Sequence, residues 1–253
     1  LKAAFILFIT CTLNLAACSQ QEAADPVPLV TDYVLAVGLS TVAVQKTQYI
    51  TSTPLLFVHL HSNETTAAAV AQIVSAKKGL PVVQVKNGNE RLIPFRLAAD
   101  AYRFDPNRMF SDHGIRNNLA LYNKTSDAAF SAVKGFRNSV LALLDTGKIL
   151  VALHNNTNEH FSILSYQGSE MPVHINSQQD PDDFFLTNDE EIFNRLRDLN
   201  FNVVLEEASK VEDDGSLSLY CSRQNIRYVN VEAEHGHLQE QMQMVEALLQ
   251  LLL

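Results

Sequence analysis

Short apolar runs alternate with longer segments of helical spacing along most of this chain, and that rhythm limits what it can fold into. Leu55–Leu60 reads as a buried strand, and the Ala-rich stretch Thr65–Lys78 reads as a helix stopped by Gly79. Leu80–Val85 is the next strand, with Pro81 at its start, where a missing N–H is tolerated. Ser126–Asp145 carries Phe130, Val133, Phe136, Val140, Leu143 and Leu144 at helical spacing, and Ile149–Leu153 follows as a strand. Thr187-Asn-Asp-Glu190 has the spacing of a capping box, which predicts a helix running to Leu199. Phe201–Leu205 and Arg227–Val231 are further strands, and Leu238–Leu253 is a closing amphipathic helix. Strand alternating with helix over this length predicts one α/β domain, a mostly parallel (mixed) sheet with helices on both faces. In such sheets functional residues gather beyond the carboxyl ends of the strands.

With 253 residues, 47% of them hydrophobic, the chain can bury one large core. Its net charge of −9 comes from 19 basic and 28 acidic residues with no basic block. That balance argues against a nucleic-acid partner, whose capture rests on clustered Lys and Arg. Lys2, the apolar Ala3–Leu13 and the run Leu15-Ala-Ala-Cys18 read as a signal peptide over residues 1–17, too short to span a bilayer comfortably. A cysteine directly after Leu-Ala-Ala resembles the bacterial lipobox. The expectation is a lipidated Cys18, a tether to residue 30 and a folded domain over 31–253. It places the protein at the bacterial cell envelope, anchored to a membrane by lipid on the periplasmic side. With Cys18 lipidated, Cys221 has no partner, so no disulfide framework is expected.

Chemistry collects at the ends of the strands. His61 and Glu64 follow the first run three residues apart, and His154 ends the run from Lys148. Two histidines and a carboxylate form the ligand set of an open catalytic zinc site, whose fourth position is left for water. In Arg103-Phe-Asp105-Pro-Asn107-Arg108, the loop arginine is either a two-pronged carboxylate ligand or a surface residue closing a turn. Glu232 and Glu234 share one face of the last strand. They are either a general base and its neighbour or a solvated strand end. His59 shares a strand face with His61, as packing or as support for the site.

Taken together these segments resemble the zinc carboxypeptidase superfamily, above all its aspartoacylase and succinylglutamate desuccinylase branch. That branch carries His-x-x-Glu, Asp-x-Asn-Arg-x-Phe, a strand ending in His-Asn-x-Thr, and a glutamate on a late strand. Here these are His61-Ser-Asn-Glu64, Asp105-Pro-Asn107-Arg108-Met-Phe110, His154-Asn-Asn-Thr157 and Glu232, in that order. The resemblance covers roughly residues 54–250. One departure is Glu232-Ala-Glu-His-Gly, where aspartoacylases carry Glu-x-Gly-Pro.

The resemblance implies that His61, Glu64 and His154 hold Zn²⁺, the set named in general terms for carboxypeptidase A. It implies that Asn107 and Arg108 grip a free carboxylate and that Glu232 is the base. An upstream arginine would polarise the scissile carbonyl: Arg91, with Arg96 and Arg103 as the other candidates. The expected activity is zinc-dependent cleavage of an amide beside a free carboxylate, in a small peptide or an acyl-amino acid. The expectation from another class is a catalytically inactive solute-binding or structural envelope lipoprotein of the same fold.

Overall fold

The structure, a computed structural model, describes residues 27–122, 125–157 and 161–253. A hairpin of β1 (Leu29–Val37) and β2 (Ser40–Gln48) leads into β3 (Leu55–His59), α1 (Thr65–Lys78) and β4 (Val82–Lys86). A second hairpin, β5 (Ile93–Leu97) and β6 (Asp100–Phe104), runs into a 3-10 turn over Pro106–Arg108, then α2 (Asp112–Tyr122) and α3 (Asp127–Leu141). There follow β7 (Ile149–Asn156), β8 (Val173–His174), β9 (Phe184–Thr187), α4 (Glu190–Asp198) and β10 (Val203–Leu205). The chain closes with α5 (Leu217–Arg223), β11 (Tyr228–Glu234) and α6 (Leu238–Leu252).

The main sheet has nine strands in the order β1-β2-β4-β3-β7-β11-β9-β10-β8. Its middle, β4-β3-β7-β11, is parallel throughout, whereas β1–β2, β2–β4, β9–β11 and β8–β10 pair antiparallel. From β3 the chain crosses through α1 to β4 on one side, and β7 later fills the other side. The gap between β3 and β7 is therefore a topological switch point, where open α/β sheets leave a crevice beyond the strand ends. His61 and His154 sit on its two rims.

Strand alternation divides the core in two. Leu55, Phe57, Val151, Leu153, Val229 and Val231 pack under α1, α4 and α6. Leu56, Val58, Leu150, Ala152 and Tyr228 pack with residues of α2, α3 and α5 on the opposite face. Each buried Leu or Phe contributes about 1.5–3 kcal/mol relative to exposure. By the same alternation His154 and Glu232 point to the second face, where apolar packing gives way to a polar cavity.

Several expectations are adjusted. The helix expected to open at Thr187 begins later: Asp189 caps it, accepting from the Ile192 N–H at 3.0 Å. Thr187 stays in β9, its hydroxyl donating to the Tyr228 carbonyl at 2.7 Å. β1 starts at Leu29, inside the span read as a tether. The leader and Cys18 lie outside the described residues. Among those described, Cys221 is free and buried, and no helix is long and apolar enough to cross a membrane.

Candidate metal centre and active site

Glu64 directly precedes α1, a place where a side chain ordinarily caps the exposed N–H groups. It caps nothing here. Its carboxylate instead meets the Nδ1 atoms of His61 and His154, each at 2.9 Å. Asn155 takes over the capping, its Oδ1 accepting from the Ala67 N–H at 2.8 Å. One residue after His154, then, β7 is tied to the helix that carries Glu64. Gln241 of α6 ties the strand from behind, donating to the carbonyls of His154 at 2.9 Å and Val231 at 3.2 Å.

The two Nδ1 atoms stand 3.2 Å apart, and all three side chains are buried. Ligands held 2.0–2.2 Å from a tetrahedral zinc lie roughly 3.3–3.6 Å from one another. The donor set matches such a shell drawn slightly inward, and two imidazoles with one carboxylate are ligands that Zn²⁺ accepts. The residues fit the ion.

Asp105 fixes how His61 presents itself. Its Oδ1 accepts from His61 Nε2 at 2.7 Å and from the Asn107 N–H at 2.8 Å. Once the Nδ1 proton has left, the proton held on Nε2 by Asp105 leaves the Nδ1 lone pair facing Glu64 and His154, the second contact by which proteins orient a metal-binding histidine. Burial works against charge on His61, but Glu64 and Asp105 outweigh it and raise its pKa to about 9. Burial likewise opposes charge on Glu64, yet His61 and His154 hold its carboxyl well below the usual range. His59 is no part of this set. Its Nε2 donates to the Glu64 carbonyl at 3.1 Å, its Nδ1 accepts from Gln84 at 3.2 Å, and burial drives its pKa down to about 4.

A cavity of ≈ 550 Å³ opens over the cluster and is lined by His61, Glu64, Arg91, Asn107, Arg108, His154 and Glu232. Arg91 enters from the loop after β4, its Nη1 2.8 Å from Glu64 Oε1 and its Nε 3.1 Å from Asp105 Oδ2. Arg96 and Arg103 lie on the exposed side of the β5–β6 hairpin and do not line the cavity. The Asn107 side chain accepts from the Leu217 N–H at 3.0 Å, which fastens its turn to α5. Arg108 pairs with Asp214 at 3.1 Å.

Glu232 is the register partner of His154 in the parallel pairing of β7 with β11. Asn230 donates to its Oε1 at 2.9 Å, and burial raises its pKa. Glu234 belongs elsewhere. Its carboxylate lies 3.5 Å from His237 Nε2, outside the cavity.

Two glycines join the walls of the site. A Cβ added at Gly114 would stand 2.3 Å from the Gly215 Cα and 2.8 Å from the Arg108 carbonyl, so no larger residue fits. The Phe110 N–H donates to the Gly215 carbonyl at 2.9 Å across the same contact.

Asp105, Tyr166, Glu206, Asp214 and Ser218 are site residues to which sequence reasoning gave no role. For Asp105 the signal existed, because a ligating histidine needs a carboxylate or carbonyl for its second nitrogen. Asp105 opens the Asp-x-Asn-Arg run. The others lie in segments without a motif.

No family model matches the sequence, and no curated protein matches it. Solved structures do resemble it. An aspartoacylase family protein from Mesorhizobium loti is 13% identical with a TM-score of 0.47, over 90% of this chain and 67% of its own. A succinylglutamate desuccinylase from Silicibacter is 10% identical with a TM-score of 0.48, over 89% and 67%. The murein-tripeptide amidase of Escherichia coli is 12% identical with a TM-score of 0.46, over 88% and 91%.

Proposed function

We propose that the chain is a zinc-dependent hydrolase of the amide bond beside a free carboxylate, a metallocarboxypeptidase or an N-acyl-amino-acid deacylase. One observation carries this reading: the His61, Glu64 and His154 ligand atoms converge at the floor of a cavity that Glu232, Arg91, Asn107 and Arg108 also line. Zn²⁺ held there would supply a Lewis acid for the carbonyl and water acidified toward neutral pH.

The chain's own groups do the rest. Arg108 binds the substrate carboxylate through its planar guanidinium, in competition with Asp214, and Asn107 adds a polar contact beside it. Arg91 brings a fixed positive charge to the wall next to Glu64, placed to oppose negative charge growing on the carbonyl oxygen. Glu232 takes a proton from the attacking water and returns it to the leaving nitrogen. Burial suits it to both halves, since a raised pKa lets the carboxyl keep the proton between steps. Lipid on Cys18 would place this chemistry at the bacterial envelope.

The test joins metal content to turnover. Protein loaded with one zinc per chain should release amino acids from N-acyl-amino acids or short peptides and leave the C-terminally amidated forms intact. Protein that holds zinc and cleaves none of these would sink the reading.

A further inference from the structure

The proposed steps leave one buried acid of the cavity unused. Glu206 directly follows β10, and its N–H donates to the Thr187 carbonyl at 2.7 Å, which extends the strand pairing by one residue. Its side chain lines the same cavity as Arg108 and Glu232. Only 7% of the residue is exposed. Ser218 donates to Oε1 at 3.2 Å, while the buried Oε2 has no hydrogen-bond partner. Burial, reinforced by Asp214, lifts the carboxyl to about 7 against the pull of Ser218 and Arg108. Arg108 does not answer this acid, because its guanidinium pairs with Asp214.

A buried carboxylate oxygen with nothing to accept from calls for an explanation, and at the wall of a substrate cavity a donor brought by the ligand supplies one. Resting on the hydrolase reading above, we propose that Glu206 selects the residue carrying the free carboxylate, favouring an amino or guanidinium side chain that donates to its open oxygen. The neighbourhood fits such a guest. Arg108 would hold the carboxylate of that residue, and Glu206 lies within the electrostatic reach of Arg108. An apolar side chain would leave Oε2 unpaired. An acidic one would face both Glu206 and Asp214. Ser216 and Ser218 add hydroxyls to the same wall.

Binding and turnover are read separately. Zinc-loaded Glu232→Gln is titrated by calorimetry with benzoylglycyl-lysine, benzoylglycyl-leucine and benzoylglycyl-aspartate. The lysyl peptide should bind roughly 30-fold tighter than the leucyl one, the scale of a desolvated charge contact. Adding Glu206→Gln, which keeps the shape, should collapse that ratio toward one, and Ser218→Ala should narrow it by a smaller factor. Equal or better binding of the leucyl or aspartyl peptide overturns the inference, as does a lysyl preference untouched by Glu206→Gln. The hydrolase reading fails differently. If the wild-type enzyme turns over none of the three while the lysyl preference and its dependence on Glu206 persist, the selectivity stands and the chemistry falls.

Discussion

Glu232 and His154 are side-by-side partners on adjacent parallel strands, so one pairing register places the proposed base next to a proposed metal ligand. Side chains alternate along a strand, and a slip of one residue would turn Glu232 into the opposite core. Gln241 guards that register from α6, since it bonds to both strands at once.

The ligand cluster predicts the metal content. The folded domain should hold close to one zinc, and His61→Ala or His154→Ala should lose most of it, because two ligands compete poorly with water. Asp105→Asn keeps all three ligands but weakens the fixing of the His61 tautomer, so zinc affinity should fall by roughly 10- to 100-fold. Emission spectrometry after dialysis against a graded chelator reads both effects.

Glu232→Gln should retain zinc while turnover falls by roughly 10²-fold or more. Glu234→Gln should leave turnover close to that of the wild type, since its carboxylate faces His237. A base must be ionised to act. Burial raises the Glu232 pKa, so kcat/KM should drop as pH falls through a value above the ordinary 4.5 for Glu. A profile whose acid limb survives Glu232→Gln would assign that limb to another group.

Arg108→Lys should act on recognition, raising KM by roughly 10-fold or more, because an ammonium cannot reproduce a two-pronged contact. Amidating the substrate carboxylate should cause a similar loss in the wild type and little further loss in the variant. Additive losses would show that Arg108 grips something else.

Glu206 predicts a stability signature separate from activity. Its pKa rises from the ordinary 4.5 to about 7 on folding, so between those values the folded state binds more proton than the unfolded state. Wild-type stability should therefore decline as pH rises through this window, with the cost fully present above about pH 7. Relative to the wild type, Glu206→Gln should gain about 3 kcal/mol between pH 4.5 and pH 7. Denaturant midpoints at a series of pH values measure the difference, and parallel curves would refute it.

Cys18→Ser, made in the full chain, should move the protein from the membrane fraction to the soluble one, because acyl chains on Cys18 would be its strong anchor. Membrane association unchanged by that substitution would place the anchor elsewhere.

The spine of the fold was readable because it is periodic. α1 occupies Thr65–Lys78 as its spacing predicts, and β3 and β7 are near-continuous apolar runs that end in polar residues. What escaped has little periodicity to read. β1 exposes Val30 and Val34 while Tyr33, Leu35 and Val37 pack inward, so apolar residues on both faces hide its core face in the sequence. β8 is two residues long, and α5 barely two turns. Thr187 imitates a cap in sequence, but its hydroxyl is committed to a neighbouring strand. The site divides in the same way. His61, Glu64, His154 and Glu232 announce themselves at strand ends, whereas Glu206 acquires meaning only when folding brings Tyr166, Ser218 and Arg108 around it.

The contact between Gly114 and Gly215 has a consequence for how this pocket can vary. The backbone of α2, the carbonyl of Arg108 and the loop leading to Ser218 are locked at one point with no room for a methyl group. Both halves of the proposed recognition surface are thereby held in a fixed relative position before any ligand arrives, which leaves less ordering entropy to be lost on capture. Preference can drift through exchanges of side chains such as Glu206, while re-routing of the loops is closed off. Alanine at Gly114 should therefore weaken every ligand alike, without changing their ranking.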